Sequence, residues 1–172
     1  MADPSSSTGI EVPCRVVVAD EQADVDVHTD RWRDLALAVL RAEARPGELT
    51  LTFVDRDEIA TLNAEHMGRP EPTDVLSFPL DDDPSGVPAG PLLLGDVVIC
   101  PAVAADAAPG HAGSLDDELA LLTVHGVLHV LGHDHADPVE RAEMQDRELR
   151  HLIEHHWHGP SPAGFRQEHA DR

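Results

Sequence analysis

The 172-residue chain has no tyrosine, and aromatic residues make up only 3% of it. Its core must therefore be built mostly from Leu, Val and Ala. Basic residues are scarce too: 12 Lys and Arg stand against 33 Asp and Glu, a formal net charge of −21. Such a charge keeps a protein soluble and opposes nonspecific binding to polyanions. Any contact with nucleic acid has to rely on a local basic patch and on a bound metal. Of the two cysteines, Cys14 and Cys100, neither belongs to a C-x-x-C pair. Two isolated cysteines read as buried thiols in a reducing compartment. No run reaches about 18 apolar residues, so no membrane span is expected. Residues 1–9 lack the basic and apolar regions of a signal peptide, which makes the cytoplasm the expected location.

What the chain does have is a histidine array inside its most apolar run. From Leu119 to Leu131 the only polar side chains are Thr and His. Ser114, with Asp117 three residues on, caps the start of this run, which predicts a largely buried helix. On that helix His125 and His129 stand at i and i+4, on one face. Gly132 supplies the left-handed backbone that ends a helix, so that His135 can turn back toward the other two. Three neutral imidazoles suit a zinc ion at about 2.0–2.1 Å and leave a fourth position for water, the catalytic arrangement. Single histidines are more often satisfied core or surface groups. Two on so apolar a helix face need partners, because burying an unpaired imidazole costs about 1–3 kcal/mol. His133 lies in the turn and is placed outside the ligand set. Asp134 reads either as a carboxylate holding an imidazole or as a turn former.

The spacing matches the His and Gly positions of the metzincin protease pattern, H-E-x-x-H-x-x-G-x-x-H. Gly126, however, stands where those proteases carry the Glu that deprotonates the zinc-bound water. Glycine has no group for that task, so the metal site remains while the protease base is missing.

The rest of the chain predicts one α+β domain: a small mixed sheet of about four strands packed with helices, the histidine helix central and buried. Residues 1–12 read as a disordered tail, 13–158 as the domain and 159–172 as a flexible tail. A strand is expected over 15–19. A helix follows to about Ala44, capped by Thr29 or Asp30, with Trp32, Leu35, Ala36, Val39 and Leu40 on its apolar face. Arg31, Arg33, Arg41 and Arg45 lie near its other side, either as a solvated face or as the chain's one basic strip. Residues 48–54 alternate as a half-wet strand, and 57–66 form a short helix. Residues 75–78 make a strand stopped by Pro79, 81–91 an acidic loop, and 92–99 the most buried strand. Asp96 in that strand is a buried carboxylate in need of partners. A weak helix over 101–107 and a last helix from Pro138, capped by Asp137, complete the set. His151, His155, His156 and His158 read as exposed helix-end residues rather than as a second metal site.

Three blocks stand out. One runs His125-Gly126-Val127-Leu128-His129-Val130-Leu131-Gly132-His133-Asp134-His135, another is Leu62-Asn63 followed by Pro72-Thr73-Asp74-Val75-Leu76-Ser77-Phe78-Pro79, and the third is Gly95-Asp96-Val97-Val98-Ile99. Together they resemble the YbeY family, bacterial zinc-dependent endoribonucleases of ribosomal RNA maturation. The resemblance covers roughly residues 13–158. It implies a single-strand-specific endoribonuclease of 16S rRNA 3′-end maturation and ribosome quality control, with one zinc per chain. It also implies single-stranded RNA, the small ribosomal subunit and assembly factors as partners. By resemblance alone, Ser77 and Asp74 stand near the site. The chain departs from the family where many members carry an arginine after the Leu-Asn pair: Met67 holds that position, with Arg69 two residues on. The alternatives are another zinc hydrolase, a peptidase included, that takes its base from elsewhere, and a non-catalytic ribosome-assembly factor with structural zinc.

Overall fold

The computed structural model describes residues 13–80 and 92–167. The expected tail over 1–12, the acidic loop over 81–91 and the last residues, 168–172, lie outside the described residues.

In chain order the elements are β1 (Cys14–Asp20), α1 (Thr29–Ala42), β2 (Gly47–Phe53), α2 (Arg56–Met67), β3 (Val75–Pro79), β4 (Leu93–Ile99), α3 (Pro101–Ala107), α4 (Leu115–Val130) and α5 (Pro138–Leu152). A π-helical turn, Ile153–Trp157, extends α5. The sheet has four strands in the order β1-β2-β4-β3. β1, β2 and β4 run parallel, and β3 pairs antiparallel along the outer side of β4. This is the expected single α+β domain with a mixed sheet.

The alternation in β2 shows why the sheet packs as it does. Leu49, Leu51 and Phe53 are fully buried on one face, while Glu48, Thr50 and Thr52 are half-buried on the other. The buried face meets α1 and α4 in one apolar core. From α1 it takes Trp32, Leu35, Ala36, Val39 and Leu40, the five positions that the helical periodicity singled out. From α4 it takes residues nearly all round the helix, so α4 is the central element.

Helix ends follow local chemistry. Ser114 accepts the Asp117 N–H, Asp55 accepts that of Glu58, and Asp137 accepts those of Val139 and Glu140 behind Pro138. These are side-chain caps on otherwise orphaned donors. α1 differs from the expectation. It starts at Thr29, so the cap position falls on His28, which makes no capping bond.

Of the two readings of the arginines near α1, the solvated face holds, and two further expectations change. The side chains of Arg31 and Arg33 reach solvent and are ion-paired. Arg31 pairs with Asp116 at 2.9 Å, Arg33 with Asp30 at 3.2 Å, and Arg45 donates to Leu131 O at 3.1 Å. Asp96 is only half-buried. Its neighbour Val97 points at α4, so the two-residue period of the strand turns Asp96 to the opposite, wetter face. The segment after Gly159 makes contacts up to residue 167: Phe165 packs edge-on to Trp157, Arg166 N–H donates to His111 O, and Gln167 donates to Gln145 O.

Candidate metal centre

α4 is held against the sheet at Gly126. A Cβ added there would lie 2.5 Å from Val97 Cγ1 and 3.4 Å from Ser77 Oγ. The Ser77 hydroxyl donates to the Gly126 carbonyl at 3.2 Å. Only glycine allows so close an approach of helix to sheet. The space where a metzincin-type glutamate would stand is filled by Val97.

Fixing Gly126 against the sheet sets the azimuth of the histidines. His125 and His129 both sit on one flank of α4, with rings 4.6 Å apart. After α4 the chain turns at Gly132, whose φ is +100°, a value that side chains rarely adopt. Asp134 then closes the turn by accepting the His135 N–H at 2.7 Å. His135 comes back to 5.7 Å from the His125 ring and 4.9 Å from the His129 ring. One nitrogen from each of His125, His129 and His135 lies within 4.8 Å of the others. Nitrogens bound tetrahedrally to one zinc are about 3.4 Å apart at a bond length of about 2.0–2.1 Å. Small side-chain shifts therefore close the trio on a metal ion. Among the described residues this is the one such group.

The donor chemistry fits as well. The His125 Nδ1–H donates to Glu148 Oε1 at 2.9 Å, which commits Nδ1 and leaves Nε2 for a metal. Glu148, on α5, is 4% exposed. Burial, then the neighbouring His125 and His135, pushes the His129 imidazolium down to about 4. His129 is therefore neutral at pH 7, the form that binds metal.

Sequence reasoning missed Glu148. The signal was weak but present: Glu148 stands four residues from both Met144 and Leu152, on the buried stripe of α5. A carboxylate on an apolar stripe needs a partner. Of the two readings of Asp134, the turn former is the one the structure bears out. A second carboxylate, Glu118, is fully buried one helical stretch upstream and takes the His111 Nδ1–H at 2.8 Å.

The other expected site residues are not members of the trio. His133 is half-buried in the turn and outside the ligand group. The late histidines are not simply exposed helix-end groups. His151 is 8% exposed and bonds Glu43 at 2.7 Å, and His156 bonds Asp117 at 2.8 Å. They tie the end of α5 to α1 and α4 rather than forming a metal site. Met67 ends α2 with 52% exposure. Arg69 follows the left-handed Gly68, and its guanidinium has no ion pair among the described residues.

Fold and site together bring three histidines that could hold one metal ion onto a buried helix and its following turn, with a carboxylate from the next helix bonded to one of them. Residues 17–156 match the family model described as Endoribonuclease YbeY, and the chain belongs to the YbeY family. It is similar to the protein named Endoribonuclease YbeY of Nocardia farcinica, 43% identical over 164 residues, covering 91% of this chain and 88% of that one. The protein of the same name from Mycolicibacterium paratuberculosis is 48% identical over 147 residues, 80% of this chain and 83% of the relative. The solution structure of TM1509 from Thermotoga maritima shares the fold, with a TM-score of 0.55 at 24% identity, over 83% of this chain and 88% of that one.

Proposed function

We propose that the protein is a zinc-dependent endoribonuclease that hydrolyses phosphodiester bonds in single-stranded RNA. Its place is 16S rRNA 3′-end maturation and ribosome quality control, with the small ribosomal subunit and its assembly factors as partners. The observation that carries this reading is the convergence of His125, His129 and His135 with Glu148 behind them, in a chain of a family named for endoribonuclease activity.

The bound ion would polarise a non-bridging phosphate oxygen and lower the pKa of its water to about 7. The chain's own residues prepare the site. Glu148 selects the His125 tautomer that presents Nε2, and burial keeps His129 neutral. Arg69, two residues beyond Met67, is the cation assigned to the phosphate, since no carboxylate claims it among the described residues. The peptidase alternative loses ground at Gly126, where Val97 fills the room that a glutamate base requires. Two unpaired cysteines and the lack, among the described residues, of any helix able to cross a membrane accord with a cytoplasmic enzyme. Zinc-loaded protein should cleave single-stranded RNA and leave a matched duplex intact. Equal cleavage of both, or cleavage of neither, overturns the reading.

A further inference from the structure

β3 is the last strand of the sheet, and its outer side faces no other strand among the described residues. The parity of its ladder can be read from its two ends. Cys100 N–H donates to Asp74 O at 2.8 Å, and Leu80 N–H donates to Leu94 O at 3.0 Å. In an antiparallel pair, alternate residues turn their peptide groups inward. Leu76 and Phe78 therefore bond β4, while Val75, Ser77 and Pro79 present theirs outward. Pro79 has no N–H. The open edge thus offers two N–H donors, of Val75 and Ser77, among three carbonyl acceptors. None of these groups has a partner among the described residues.

This edge runs beside the metal centre. The Ser77 hydroxyl bonds the carbonyl of Gly126, the residue after His125. Around α4, at about 100° per residue, Gly126 faces the sheet, Val127 and Val130 lie on one flank, and His125 and His129 on the other. Val127 and Val130 are in the apolar core. The histidine flank is therefore the one that looks past the sheet, along β3.

We infer that the open edge of β3, with the Ser77 N–H at its centre, holds the unpaired base next to the phosphate being cut. This rests on the endoribonuclease reading above. Alternating donors and acceptors suit the hydrogen-bonding edge of a nucleobase. A row of phosphates would instead meet three carbonyl dipoles. A base can offer that edge only when it is not paired, so the contact selects single strands. Charge points the same way. The chain has no lysine and a net charge of −21, so attraction to the RNA backbone is a weak source of affinity. Neutral peptide groups on an edge strand bind without needing it. Ser77 is a positioning residue: its side chain seats β3 on α4, and its backbone N–H meets the base.

The test removes that N–H while leaving the metal ligands alone. Zinc-loaded protein is titrated by fluorescence anisotropy with a nuclease-resistant 2′-O-methyl single-stranded octanucleotide, and with the same strand made abasic at its central positions. Wild type should bind the intact strand about tenfold more tightly than the abasic one, the worth of a good hydrogen bond. Ser77→Pro, with equal zinc content, should bind both strands equally, at the abasic level. Edge strands tolerate proline. If its melting curve shows a lost fold, a backbone ester at residue 77 removes the same N–H and keeps the serine side chain. Wild type that does not discriminate, or a variant that keeps the discrimination, overturns the inference. The second result is also what an edge covered by a protein strand would give. Cleavage of unmodified RNA by wild type is scored separately. If it is absent, the endoribonuclease reading fails, whatever the anisotropy shows.

Discussion

Glu148 holds His125 across 23 residues of sequence, with its Oε1 2.9 Å from His125 Nδ1. Both side chains are nearly out of water, at 13% exposure for His125 and 5% for Glu148. The bond fixes the ring's tautomer and orientation before any metal arrives. Removing such a partner commonly costs 10- to 100-fold, roughly, in metal affinity. Glu148→Gln should therefore weaken zinc binding by about tenfold or more, measured by competition with a chromophoric chelator. Affinity equal to wild type would show that the carboxylate is idle.

Zinc removal should destabilise the fold. The ligands tie α4 to the turn after it, and an ion that binds only the folded chain adds RT ln(1 + [L]/Kd), about 4 kcal/mol at 1,000 times Kd. For a chain of this size that is roughly a 10 °C fall in Tm on chelation. Calorimetry before and after verified zinc removal at pH 7.5 measures it, and an unchanged Tm contradicts it.

How legible these features were in the sequence depended on whether their cause was local. The spacing of His125 and His129, the Ser114 cap and the Gly132 turn are properties of neighbouring residues, and each appears where expected. The strands were legible for the same reason: β2 alternates cleanly, and Pro79 ends β3. What stayed hidden were partners supplied from afar. Glu148 for His125 and Glu43 for His151, 108 residues away, are set by how α5 crosses α4 and α1. Nor does any local pattern tell that β3 lies on the outer side of β4, as the last strand of the sheet among the described residues.

The pair His111 and Glu118 should give the fold a specific pH dependence. Burial alone would lower the His111 imidazolium, but its bond to Glu118 and that carboxylate's charge outweigh burial and raise it. A histidine raised in the folded state adds stability that is complete below its unfolded value of about 6.5 and fades as pH climbs through the folded one. Wild type should therefore exceed His111→Gln in Tm most at pH 6, and the gap should shrink toward pH 9. A gap independent of pH would contradict the charged pair.

Arginine near the end of α2 should govern the rate. Met67 is exposed and uncharged, at the position where the family resemblance leads one to expect an arginine. A cation preorganised beside a transferring phosphate is of the kind whose removal costs about 2.7–4 kcal/mol in other enzymes. Met67→Arg should speed single-turnover cleavage of single-stranded RNA and steepen the salt dependence of binding by about 0.7 in log–log slope. Arg69→Ala should slow cleavage. Silence from both variants would show that no arginine of this loop touches RNA and would favour the assembly-factor alternative.

The central claim is that His125, His129 and His135 hold the zinc that cuts RNA. The most direct measurement is cleavage of single-stranded ribosomal RNA by zinc-loaded wild type, by chelator-treated wild type restored with zinc, and by His129→Ala. The account predicts cleavage in the first, its loss on chelation with recovery on zinc addition, and no cleavage above background in the variant at matched fold. Undiminished cleavage by His129→Ala, or by protein verified to be free of metal, would contradict it.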